Sequence, residues 1–144
     1  MGKKRVIEKG GSATGQGGKT RAQSKGSKRR ISRGILNVQA TYNNTLLTLA
    51  DDTGNAVAQS SSGSLGFKGA KKGTPFAAAK VGELLAEKAM LMGVKEVSVV
   101  VRGVGSGRES SIRAFTSKGI TITAIEDRTP VPHNGPRAKK ARRV

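Results

Sequence analysis

Two stretches of this chain have residue types and spacing suited to holding phosphate. The stronger is Gly103-Val-Gly105-Ser-Gly107-Arg108-Glu109, which follows a β-branched strand pattern and opens a helical one. Glycines let a backbone approach a phosphate closely, and a helix N-terminus carries unpaired amides that favour an anion. Arg102, Arg108 and Arg113 supply charge beside them. With Glu126-Asp127 about twenty residues on, the stretch has the outline of half a dinucleotide-binding unit. Two things are missing. The third glycine, which would let helix and strand pack closely, falls on Arg108, and only one more strand follows. The residues alone leave three readings open: a nucleotide site, a seat for a backbone phosphate of RNA, or a tight turn. The weaker stretch, Ala13-Thr-Gly-Gln-Gly-Gly18-Lys19-Thr20, matches a relaxed phosphate loop with Ala in place of the first glycine. Only Val6 and Ile7 precede it and no helical pattern follows, so nothing would aim its amides.

Other chemistries lack their parts. There is no cysteine, which removes disulfides, thiolate metal sites and thiol nucleophiles together, and fits a cytosolic setting. The single histidine, His133, lies between Pro132 and Asn134 with no Ser or Cys partner, so it reads as a hydrogen-bond donor or a stacking ring. A two-metal nuclease needs carboxylates gathered at strand ends. Asp51 and Asp52 are explained by the turn they begin, Glu109 by a capping box with Ser106, and Glu83 and Glu87 by a solvated helix face. The four aromatics are Tyr42, Phe67, Phe76 and Phe115. Phe76 and Phe115 fall on helical segments as core residues. Tyr42 is expected to cap the core edge, with base stacking as its other use. Binding by several stacked aromatics is therefore not expected, and RNA shape and backbone are the features to be read.

The formal charge of +18 is concentrated at the ends. Residues 1–33 hold eleven bases and one acid, residues 136–144 five bases and no acid, and the stretch between eleven bases against eight acids. Such ends repel themselves and are neutralised by a polyanion. Nucleic acid is the leading partner. An anionic membrane surface is the alternative, but no amphipathic helix with bulky apolar residues accompanies the charge. No apolar run is long enough to span a bilayer, and the N-terminus lacks the apolar stretch of a secretory signal.

The elements that would position these groups follow from periodicity. Residues 1–30 are rich in Gly, Ser and Lys and are expected to be a disordered basic tail. A globular α/β domain is expected over 31–127. It begins with three antiparallel strands, Ile35–Ala40, Thr45–Ala50 and Ala56–Ser60, the last two joined by Asp52-Thr-Gly-Asn55. Next comes a Gly/Ser/Lys loop, Ser61–Gly73, whose Lys68, Lys71 and Lys72 read as phosphate contacts or as a solvated loop. Thr74 caps a helix from Pro75 to Gly93, with Ala77, Val81, Leu84, Leu85, Leu91 and Met92 on its apolar face. Strand Glu96–Val101 reads as buried on both faces. A helix over Arg108–Lys118 and a strand over Ile120–Ile125 complete a β-β-β-α-β-α-β order. This predicts a mixed sheet of about five strands with helices on its faces. Residues 128–144 are expected to form an extended arm. Pro130, Pro132 and Pro136 fix its backbone, Asn134-Gly135 turns it, and Arg137, Lys139, Lys140, Arg142 and Arg143 charge it.

Five motifs then stand together. They are Asn43-Asn44-Thr45, Gly66-Phe67-Lys68-Gly69, Thr74-Pro75-Phe76-Ala77-Ala78, Gly103-x-Gly105-x-Gly107-Arg108-Glu109-Ser110, and Asp127-x-Thr129-Pro130-x-Pro132-His133-Asn134-Gly135-x-Arg137. In this order and spacing the chain closely resembles the universal small-subunit ribosomal protein eleven family over about residues 31–144. Pro-His-Asn-Gly is similar to its bacterial and organellar branch. The resemblance implies a ribonuclease-H-like fold without that fold's catalytic carboxylates, no cofactor and no enzyme activity. It implies binding to 16S ribosomal RNA on the platform of the small subunit, in the cytoplasm, tying several RNA helices together. It implies a lining role in the cleft of the Shine-Dalgarno duplex, close to messenger RNA. Small-subunit proteins seven and eighteen would be neighbours, with initiation factor three nearby. The RNA contacts expected, from the residues and the resemblance together, are Arg33, Asn43, Asn44, Lys68, Lys71, Lys72, Thr74, Arg102, Gly103, Gly105, Gly107, Arg108, Ser110, Arg113 and Arg128. From the arm they are Pro132, His133, Asn134, Gly135, Arg137, Lys139, Lys140, Arg142 and Arg143. Val104 and Ser106 stand where the family often has prolines, and the N-terminal tail is longer and richer in glycine than usual.

Overall fold

The computed structural model describes residues 30–141 and Arg143. The expectations for the N-terminal tail, its Ala13–Thr20 loop and Arg142 lie outside the described residues. The elements are β1 (Arg33–Ala40), β2 (Thr45–Asp51), β3 (Ala56–Ser61), a 3-10 turn (Gly69–Gly73), α1 (Pro75–Leu91), β4 (Glu96–Arg102), α2 (Gly107–Thr116) and β5 (Thr121–Asp127). Short turns make β1, β2 and β3 antiparallel neighbours. Helical crossovers carry the chain back, so that β4 pairs in parallel with β1 and β5 in parallel with β4. The strand order is β3-β2-β1-β4-β5, the mixed five-stranded sheet expected from the element order.

The period of two along each strand selects one face for the core. Leu36 and Val38 of β1 stand opposite Leu49 and Leu47 of β2 and beside Val99 and Val101 of β4. All six are buried. Val81, Leu85, Ala86 and Ala89 of α1 and Phe115 of α2 close over the same cluster. Both helices thus cover one face, which narrows the expectation of helices on the sheet's faces. The reason is topological. Both crossovers step across the sheet in the same direction, and crossovers of one hand stepping one way fall on one side. The other face carries Ile35, Asn37, Gln39, Thr48 and Ser98. Val100 is buried even there, so the Val99-Val100-Val101 run is enclosed as its composition suggests.

Several local expectations change. Phe76 is 63% exposed rather than in the core; it lies on the first turn of α1, against Phe67 instead of the sheet. Tyr42 is 78% exposed and caps nothing. Leu91 is exposed, because the buried stripe of α1 runs through Ala78, Gly82, Leu85 and Ala89 and leaves the Leu84–Leu91 line at its side. Thr74 does cap α1, its Oγ1 accepting from the Ala77 amide at 3.3 Å. The Ser106–Glu109 capping box is not formed. Ser106 Oγ donates instead to the Gly73 carbonyl at 2.9 Å, and Glu109 pairs with Arg113 one turn along.

Candidate nucleic-acid interface

One end of the sheet gathers most of the residues singled out by their chemistry. Since β1, β3, β4 and β5 run in one direction, Ala40, Ser61, Arg102 and Asp127 end together. Both helices begin at this end, at Pro75 and Gly107. The β1–β2 tip, the Lys68–Thr74 segment, the Gly103–Gly107 loop and the root of the C-terminal arm therefore adjoin. Carboxyl ends of parallel strands with helix N-termini beside them form the usual ligand-facing edge of an open α/β sheet.

The glycines of the loop are packed against the chain, while Val104 and Ser106 between them are exposed. Gly103 has φ of 94°, and a Cβ there would lie 2.1 Å from the Ala40 carbonyl oxygen. A Cβ on Gly105 would lie 2.3 Å from the Thr41 oxygen. Gly107 packs closely, 2.7 Å from the Ala78 Cβ by the same measure, and so takes the helix-packing role that dinucleotide spacing would give to position 108. Three amides of the loop and the helix start are already bonded within the chain. Gly105 donates to Ala40 O at 3.0 Å, Arg108 to Gly105 O at 3.4 Å, and Gly103 to Thr129 Oγ1 at 3.2 Å. These amides are unavailable to a phosphate.

Arg108, expected to neutralise phosphate, is committed within the fold. Its guanidinium donates to Gly103 O at 2.5 Å and to Asp127 Oδ2. Asp127 Oδ1 accepts from the Thr129 amide at 2.9 Å and hydroxyl at 2.6 Å. The hydrogen bonds from Thr129, followed by those of the Arg108 guanidinium, hold the Asp127 carboxyl down at about 2. A closed ring of Gly103, Arg108, Asp127 and Thr129 thus ties the loop, the start of α2, the end of β5 and the root of the arm together. The Arg128 amide adds one more strand-like bond, to Val101 O at 2.9 Å. The sequence signal for this latch was an aspartate two residues before a threonine, a spacing that forms a side-chain turn.

The remaining expected contacts divide. Lys68, Lys71 and Arg102 are exposed, Lys72 is half-buried, and no ion pair engages any of them among the described residues. Asn43 is exposed at the β1–β2 tip. Along the arm, Pro132, His133, Asn134, Gly135, Arg137, Lys139, Lys140 and Arg143 are all exposed, and Asn134 makes the expected turn at φ 55°. Arg128 pairs with Glu126 at 2.6 Å and Arg113 with Glu109, both on the surface. Asn44 is turned inward, its Oδ1 2.5 Å from Ser62 Oγ. Thr74 is used as a cap, its hydroxyl donating to Lys71 O at 2.7 Å. The Ser110 hydroxyl is buried without a partner. Arg33 is not brought to this edge at all. It lies at the far end of the sheet, paired with Glu96 at 3.0 Å. Asp51 is there too, opposite Gly34, so the acids at 51 and 52 do not join Asp127 in a carboxylate cluster. No described group of three or more acids, His or Cys could hold a metal ion, and no described helix is long and apolar enough to cross a membrane.

The matched family model is Ribosomal protein S11, over residues 34–143. The match includes the whole sheet except its first residue, both helices, the glycine loop and most of the arm. The family is one of structural ribosomal proteins of the small subunit that bind ribosomal RNA. On a match over most of its length, this chain belongs to the ribosomal protein S11 family.

Proposed function

We propose that this chain is a non-catalytic constituent of the small-subunit platform that binds 16S ribosomal RNA. In this reading the folded domain docks by its cationic edge, and the arm runs on between RNA helices, bridging them beside the Shine-Dalgarno cleft and messenger RNA. Small-subunit proteins seven and eighteen would adjoin it, with initiation factor three close by, in a cytoplasmic ribosome. One observation carries the reading. The root of the arm, both helix starts, and Lys68, Lys71, Lys72 and Arg102, which have no ion pair among the described residues, converge at one end of the sheet. The RNA-contacting set proposed from that geometry is Asn43, Lys68, Lys71, Lys72, Arg102 and the arm from Pro132 onward, with Arg108 holding the arm's root and not meeting phosphate.

Salt titration tests it. Each phosphate neutralised lowers log affinity by about 0.7–0.9 per tenfold rise in salt. Affinity for 16S RNA should therefore fall steeply between low and moderate salt, and the tagged chain should co-sediment with small subunits through a high-salt wash. Affinity indifferent to salt would sink the proposal. Equal binding to random RNA would instead indicate a general nucleic-acid chaperone acting through its tails.

A further inference from the structure

Tyr42 stands out on the proposed RNA-facing edge. Its ring is 78% exposed and has no hydrogen bond or ring contact among the described residues. A lone exposed aromatic is ordinary, but this one rides on a backbone held by several contacts. The Thr41 amide donates to Asn44 O at 2.9 Å, and the Asn44 amide donates back to Thr41 Oγ1 at 3.1 Å. Asn44 in turn meets the buried Ser62. Gly73 and Gly105 both abut the tip: a Cβ on Gly73 would lie 2.0 Å from Tyr42 O, and one on Gly105 2.3 Å from Thr41 O. The residues that close on it bring charge, since Lys71 and Lys72 immediately precede Gly73. Phe76, the other exposed aromatic, is already engaged. The edge of Phe67 meets it at 6.1 Å, and Lys80 stands 5.8 Å over its face.

We infer that the Tyr42 ring is a stacking platform for an unpaired nucleobase of the bound RNA. The inference rests on the RNA-binding reading above and adds a base contact to what charge alone would make a backbone contact. The physical case is preorganisation. A fixed tip presents a π face at no further cost in backbone entropy, and neighbouring cations draw in the phosphates on either side of the base. A base stacked there would remove from water the ring surface that the fold leaves bare.

The chain supplies its own reporter, because it has one tyrosine and no tryptophan. Intrinsic emission therefore reads Tyr42 alone. The full-length chain is titrated with deproteinised 16S ribosomal RNA at low salt, with binding followed independently by filter retention. Quenching of the emission in step with binding is expected. Tyr42→Ala and Tyr42→Leu should bind roughly five- to a hundredfold more weakly, the range that loss of one stacked base gives, while Tyr42→Phe retains native affinity. Melting temperatures should match across the series, since the side chain touches no core residue. RNA binding with unchanged emission, or native affinity in Tyr42→Ala, would overturn the stacking role alone and point the ring toward a protein neighbour. Native affinity in Tyr42→Leu would overturn it too, leaving a simple apolar contact. Absence of any binding by the native chain would overturn the RNA-binding reading and this inference with it.

Discussion

At each end of the sheet the chain turns on an aspartate two residues before a threonine. Asp51 Oδ1 accepts from the Thr53 amide at 3.1 Å and hydroxyl at 2.6 Å; Asp127 Oδ1 accepts from the Thr129 amide at 2.9 Å and hydroxyl at 2.6 Å. The local motif is the same and the outcome differs. At the far end, Asp51 also accepts from the Asn55 amide at 2.8 Å and closes the β2–β3 hairpin. At the carboxyl end, Asp127 gives its other oxygen to Arg108, and the Thr129 hydroxyl accepts from Gly103, so the turn anchors an arm to a loop and a helix. The charges differ in the same sense. At the carboxyl end Asp127, Glu126 and Glu109 are each taken by an arginine, while Lys68, Lys71, Lys72 and Arg102 have no ion pair among the described residues. The far end mixes Asp51, Asp52 and Glu96 with Arg30, Arg33 and Lys95. A turn motif therefore says that the chain bends, and only its neighbours say what the bend holds.

The comparison breaks most sharply at Gly103. Gly103→Ala would put a side chain at positive φ and into the Ala40 carbonyl, two penalties of about 1–3 kcal/mol each. Urea denaturation should show a loss of about 3 kcal/mol or more. Native stability in this variant would mean the loop is not the packed hinge of the edge.

The next effect is on RNA. Replacing Arg137, Lys139 and Lys140 together by Ala should flatten the log affinity–log salt slope by about 2–3, at about 0.7–0.9 per contact, with the unfolding midpoint unchanged. A slope equal to the native one would remove the arm from the interface.

The paired aspartates sharpen the contrast further. Asp127→Asn removes a negative charge, so electrostatics alone predicts tighter RNA binding. Loss of the latch predicts weaker binding, and weaker binding is the expected result. Asp51→Asn should loosen its hairpin and leave RNA affinity alone. Both carboxyls are held below their ordinary value of 3.8, Asp127 at about 2, chiefly by their threonines. A depressed carboxylate contributes its stabilisation above the unfolded value and loses it as pH falls toward the folded one. The arm's root should therefore stay latched at neutral pH and release between about pH 4 and pH 2, read from the Thr129 amide resonance. Release near neutrality would contradict the ring of bonds.

Arg33→Ala should do least. Its pair with Glu96 is solvent-exposed, and such pairs contribute about 0–1 kcal/mol. RNA affinity should be unchanged in filter binding. A marked loss would extend the interface to the far end of the sheet.

Most of the fold was legible from local signals. Period-two strands, the Thr74-Pro75 helix start and glycines after each helix placed every strand and both α-helices to within a few residues, while the 3-10 turn over Gly69–Gly73 read only as loop. Phe76 was misread because an apolar residue on a first helical turn looks the same whether it meets the sheet or a loop aromatic such as Phe67. Tyr42 was misread for a similar reason: its neighbours in sequence are turn formers, and exposure at a tip depends on what packs beside it. Ser106 had the right spacing for a cap, but its hydroxyl found Gly73, thirty-three positions away in the chain.

The amino-acid order alone determined the alternation of elements, the cationic ends and the stiffness of the proline arm, because these depend on periodicity, charge count and fixed φ. Tertiary structure decided the rest. The common direction of the two crossovers put both helices on one face and every helix start at one edge. That meeting turned Arg108 from a free cation into the partner of Asp127, and left Lys68, Lys71 and the Tyr42 ring exposed. That Arg108 is already paired is a property of its distance to Asp127, nineteen positions away in the chain, and no local pattern contains it.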